Sequence, residues 1–202
     1  PEISRIDLPS YWGGHSIYPI PGMPIADYGD DRDNRVRDIL VVVSEVTANE
    51  CQSARHATFF IDMTEEDKPF GISSFQVPEE PGDFCNRGGR FGPHASNDSM
   101  LSPYYGKVLF LSYFNAGVRA VDIRNPFQPV EIGHYIPAIT DNTDQRCMEV
   151  NGEQRCKTVI QTNNVNYDER GYIYALDRAN TGLHILRLTG PASEIVESEA
   201  NP

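Results

Sequence analysis

The sequence predicts an all-β fold of repeated antiparallel sheets, on three observations. Residues 106–123, GKVLFLSYFNAGVRAVDI, and residues 171–188, GYIYALDRANTGLHILRL, align without a gap at an offset of 65, with Gly106/Gly171, Leu111/Leu176, Asn115/Asn180 and Gly117/Gly182 identical. Each copy holds two short apolar runs joined by Asn-x-Gly, which reads as a hairpin repeated at a fixed interval. The 202 residues include 15 Pro, 16 Gly, 10 Tyr and 9 Phe and show no long heptad pattern, a composition suited to short strands and special turns. The longest aliphatic run, Ile39-Leu40-Val41-Val42-Val43, has the length of a buried strand, far short of the roughly 18–20 apolar residues that span a bilayer.

The elements follow in order. A first unit, about 13–78, opens with Gly13-Gly14-His15-Ser16-Ile17, crosses a Pro-rich acidic loop, and continues in strands at Asp38–Glu45, Ala57–Met63 and Phe70–Val77. A second unit, about 91–137, opens with Phe91-Gly92-Pro93-His94-Ala95-Ser96 and continues at Gly106–Tyr113, Val118–Arg124 and Val130–Ile136. Ile61-Asp62-Met63 matches Val121-Asp122-Ile123 at an offset of 60, and the same offset carries Pro69 to Pro129. A third unit, about 160–190, opens with Thr162-Asn163-Asn164-Val165 and continues at Tyr172–Asp177 and Leu183–Leu188; residues 191–202 read as a polar, frayed tail. Sheets of about four short strands repeated in this way predict a β-propeller. Three units do not close a ring of four to eight blades, so other residues or another chain are expected to complete it. The chain starts at Pro1 and reads as a processed product or a fragment.

The segment Gly117-Val118-Arg119-Ala120-Val121-Asp122-Ile123-Arg124-Asn125-Pro126-Phe127-Gln128-Pro129-Val130 resembles the LVIVD-repeat family of secreted bacterial proteins, a G-L-x-I-V-D-I-x-x-P-x-x-P-V blade motif. The resemblance is close in the second unit, partial in the first, and reduced to the hairpin in the third. It implies a propeller, extracytoplasmic in most members and often without an assigned activity.

Cysteine usage points to the same compartment. Cys147 and Cys156 bracket C-M-E-V-N-G-E-Q-R-C, and a type I′ turn at Asn151-Gly152 sets the two cysteines directly opposite each other, in a non-hydrogen-bonded pair with Cα atoms about 4.5 Å apart. A disulfide is predicted there, with free thiols as the alternative reading. Cys51 and Cys85 are the candidates for a second bridge, and two bridges mean a periplasmic or secreted protein.

The net charge of −12 disfavours nucleic acid and anionic membranes as partners, and suits a protein or small-molecule ligand, a cation or a metal. Each unit begins with a polar group on its inner strand: His15, His94, and Asn163 with Asn164. In a propeller these positions converge on the channel, where two imidazoles suit a transition metal such as copper or iron. The competing reading is that these groups serve only backbone and channel water. The pattern offers no third ligand, since the third unit brings only amides. Asp27, Asp30, Asp31 and Asp33 crowd oxygen ligands into a short loop that could take calcium but lacks the sixth-position Gly and terminal Glu of an EF-hand. Asp62 and Asp122 recur at the same motif position, as expected of residues that cap a turn. His56, His134 and His184 read as structural. No nucleophile motif or phosphate-cradling loop is present. The leading expectation is a non-catalytic extracytoplasmic binding or scaffolding module whose loops 78–105 and 138–160 form its variable face. A metal-dependent oxidoreductase and a structural subunit of a surface assembly are the alternatives.

Overall fold

The computed structural model describes residues 1–25 and 36–197. The fold is all-β, with curled antiparallel sheets arranged as a half-barrel and, among the described residues, one short α-helix and a 3-10 turn at Glu80–Gly82. Strands β1 (Gly14–Pro24), β2 (Val36–Ser44), β3 (Thr58–Asp62) and β4 (Phe70–Phe75) form a four-stranded meander, the first sheet. Strands β5 (Phe91–Ser96), β6 (Val108–Phe114), β7 (Val118–Asp122) and β8 (Val130–Tyr135) form the middle one. The hairpin of β9 (Gln145–Val150) and β10 (Glu153–Thr158) stands apart, and β11 (Thr162–Tyr167), β12 (Ile173–Asp177) and β13 (Gly182–Leu186) form the last sheet. A single residue pair, Thr162↔Phe114, joins β11 to β6 and makes the middle and last sheets hydrogen-bond-continuous.

Side chains alternate across each strand, so a strand apolar on both faces is buried on both. In β6 every residue is buried. Leu109, Leu111 and Tyr113 pack with Val41, Val43 and Phe60 of the first sheet. Val108 and Phe110 pack with Val165, Ile173 and Ala175 of the last. Burying each such side chain contributes roughly 1.5–3 kcal/mol, so β6 is where the two cores meet. Polar links reinforce the first joint: Val46 N–H donates to Pro93 O at 3.3 Å, and Ser96 N–H to Ser16 Oγ at 3.3 Å.

Cys51 is bonded to Cys85, and Cys147 to Cys156. In the β9–β10 hairpin the pairing runs Val150↔Glu153 to Cys147↔Cys156, and both Asn151 (φ 54°) and Gly152 (φ 82°) take the positive φ that the two-residue turn requires. Arg155 and Lys157 of this hairpin bind the buried Glu50 carboxylate, which moors it to the loop that carries Cys51. Among the described residues no helix is long and apolar enough to cross a membrane.

Three expectations need correction. The repeat of 106–123 in 171–188 contains a one-residue slip. In the middle hairpin Leu109 faces Val121, but in the last one Ile173 faces Leu186, so the first strand repeats at an offset of 64 and the second at 65. The turns differ accordingly. Phe114 and Gly117 have positive φ in the first, Asn180 and Gly182 in the second, and a Cβ on Gly117 would sit 2.1 Å from Tyr135 O. The last unit has three strands rather than four among the described residues. Finally, the start of the expected tail is a helix, Pro191–Glu197, because proline is preorganised for a first helical turn and Ile195 and Val196 find apolar cover against the second core.

Candidate metal centre

The first strands of the three sheets, β1, β5 and β11, bring their polar residues together. His15 is the second residue of β1, and His94 lies in β5; their ring centroids are 4.3 Å apart. Asn163, on β11, reaches the same place through its backbone: its carbonyl lies 2.5 Å from His94 Nδ1. A carbonyl can only accept, so Nδ1 carries the proton and Nε2 presents its lone pair. Ser112 Oγ–H donates to the same carbonyl at 2.7 Å and fixes its position. Asn163 and Asn164 bond to each other through their side-chain amides, and Asn163 Oδ1 accepts from Arg178 Nη1 at 3.0 Å.

The third ligand missing from the sequence pattern is Glu45. It directly follows β2, the hairpin partner of β1, and its backbone N–H donates to Gly13 O at 3.2 Å. Its carboxylate Oε1 lies 3.7 Å from His94 Nε2, and Oε2 lies 3.9 Å from His15 Nε2. One ligand atom from each of His15, Glu45 and His94 falls within a 4.8 Å circle. Among the described residues, no other group of three or more His, Cys, Asp or Glu is so placed. No sequence pattern marked Glu45; the pairing of β1 with β2 aligns Gly14 with Ser44 and so sets residue 45 beside the start of β1.

Burial and environment suit a ligand. His94 is 6 % exposed, and burial, the largest influence, pushes its imidazole below the ordinary value of 6.5, against the opposing pull of the Asn163 carbonyl. The neutral form, the one that ligates, is therefore favoured at neutral pH. Phe114 backs the site: His94 meets its ring edge-on at 5.1 Å, and the guanidinium carbons of Arg90 and Arg178 lie 5.4 and 5.0 Å from its centroid. Arg90 Nη1 donates to Glu45 Oε1 at 2.9 Å.

No family model matches the chain, and no curated protein matches it. The centre is therefore read from its own donors. Ligands around one ion with bonds of about 2.0–2.2 Å stand about 3–3.5 Å apart, so the present spacing closes by about half an ångström per side chain. His15, at the start of a strand and with its side chain 36 % exposed, has room for that shift. Two imidazoles and one carboxylate fit a divalent first-row transition ion and leave coordination positions open.

The remaining sequence candidates lie elsewhere. Asp27, Asp30, Asp31 and Asp33 fall outside the described residues. Asp62 Oδ1 accepts from Thr64 N–H at 2.9 Å and Asp122 Oδ1 from Arg124 N–H at 3.0 Å, the turn-capping role read from their recurrence. His56 is buried before β3, beside Trp12. His134 bonds to Glu131, and His184 spans the second joint to Tyr135 Oη at 3.2 Å.

Proposed function

We propose that this chain is part of an extracytoplasmic β-propeller that holds a divalent transition-metal ion at the inner ends of its sheets. The observation that carries the reading is the convergence of His15, Glu45 and His94 within 4.8 Å, from positions at or beside equivalent inner strands. The stacking of one antiparallel unit on the next and the LVIVD-like segment 117–130 support the propeller, and the two disulfides support an oxidising compartment. On this reading other sheets, from another chain or a further segment, complete the ring.

His94 would hold its Nε2 lone pair toward an ion because Asn163 O accepts the hydrogen bond from its Nδ1–H, the outer-shell arrangement that orients metal-bound histidines. Glu45 supplies the anionic donor and His15 the second neutral one. The same donor set is found in non-haem iron centres with open positions, so the oxidoreductase reading rests on these three residues as well. A binding module without chemistry would need none of them. Metal analysis and calorimetric titration with Fe(II), Co(II) and Zn(II) test the proposal. One equivalent per chain is expected, with affinity lower by at least about 100-fold in His94→Ala and Glu45→Gln. Sub-stoichiometric uptake, or uptake indifferent to both substitutions, overturns it.

A further inference from the structure

The geometry points to a small carboxylate as the second occupant of this centre, bound to the ion and gripped by Arg90 and Arg178. The inference rests on the metal reading above and adds the chemical class of what the ion's open positions receive.

Two guanidiniums share one wall of the site. Both lie against Phe114, the ring that also backs His94. Arg178, exposed just after β12, feels the like charge of Arg90 across this wall. Arg146 adds to this repulsion and ties itself to the same strand end by donating from Nη2 to Arg178 O at 3.1 Å. The side-chain partner of Arg178 is a neutral amide oxygen, Asn163 Oδ1. The partner of Arg90 is Glu45, the one carboxylate of the proposed ligand set.

That last contact decides the charge balance. An ion drawing on Glu45 competes with Arg90 for the same Oε1. A divalent cation and two guanidiniums then draw on Glu45, while Asp177, the other carboxylate that acts on Arg178, is already taken up by the Gln161 and Ala179 N–H groups, in a chain of net charge −12. Positive charge concentrated at one point of an acidic protein is relieved by an anion held there. Guanidinium forks match the two oxygens of a carboxylate, and a carboxylate is also a good donor to a divalent first-row ion. An uncharged ligand would satisfy the ion but leave Arg90 and Arg178 repelling each other.

The test uses the full chain loaded with Co(II), whose visible bands report its coordination, titrated with acetate in chloride-free buffer. A saturable change in the bands is expected. Arg178→Gln, read at full Co(II) occupancy, should require at least about 10-fold more acetate, the loss of one charge-assisted hydrogen bond. Arg178→Lys, which keeps the charge but not the fork, should recover part of that. Co(II) bands that ignore acetate, or an acetate response equal in Arg178→Gln and the parent, overturn this inference and leave the metal reading intact. A chain that takes up no Co(II) overturns both.

Discussion

In the middle sheet Leu109, Leu111 and Val121 face the first sheet, and Phe110, Val118 and Ala120 face the last. In the last sheet Ile173, Ala175 and Leu186 face the middle one, while Leu176, Leu183 and Ile185 face solvent, 47 %, 60 % and 61 % exposed. The two hairpins share the same apolar pattern around an Asn-x-Gly turn. What differs is whether a neighbouring sheet lies on the far side. Apolar residues on both faces of a strand signal cover on both faces. On the propeller reading proposed above, this exposed apolar face is where the next sheet would pack. Exposed contiguous apolar area of this kind marks an interaction face.

The largest effect is expected where the middle sheet supports both cores. Phe110 is fully buried, with the Tyr104 ring edge-on at 4.9 Å and Tyr167 at 5.9 Å. Phe110→Ala should cost about 3–5 kcal/mol in denaturant unfolding. A loss below about 1 kcal/mol would mean that the middle and last sheets do not share a packed core, and the comparison would fail at its base.

A smaller effect separates the two joints by pH. His56 sits at the first joint, 5 % exposed, with Nδ1 unpartnered. Burial lowers its imidazole from the ordinary 6.5, against a weaker opposing pull from Glu45. A folded value below the unfolded one means that the unfolded chain takes up the proton first. Stability is therefore full above about 6.5 and is lost as pH falls through that value, levelling off below the folded value. Thermal unfolding with chelator present should show a decline between pH 7.5 and 5.5 that is shallower in His56→Gln. An equal slope in both proteins would assign the decline to other groups.

How much of this was legible in the sequence depends on how local each signal was. The Cys147–Cys156 pairing followed from Asn151-Gly152 alone, because a two-residue turn fixes register outward from itself. The proximity of His15, His94 and Asn163 was legible because each lies in the first strand of its unit. Glu45 was not, because it stands beside an inner strand rather than on one, and only the β1–β2 pairing brings it there. The one-residue slip at residues 176–183 was hidden for a related reason. Identical Asn-x-Gly letters suggested identical turns, whereas Asn115 uses its amide to bind Phe84 O and Gly88 O, and Asn180 itself adopts positive φ. The helix at Pro191–Glu197 depends on apolar cover for Ile195 and Val196 that a reading of a polar tail does not contain.

The smallest effect on the chain's own stability bears most on what lies beyond it. Leu183 corresponds to Val118 of the middle sheet, which is 4 % exposed, and differs from it in being 60 % exposed. Replacing an exposed leucine removes little burial, so Leu183→Ser combined with Ile185→Ser should leave the unfolding free energy within about 0.5 kcal/mol of the parent. The exposed face of the last sheet would meet the first sheet of a second copy if two copies associated head to tail, and three units from each would then make six. Sedimentation of the parent at rising concentration should in that case show association that the double variant loses. Association that survives the substitutions would place the contact elsewhere on the molecule. A parent that remains monomeric would mean that the covering sheet is not a second copy of this chain.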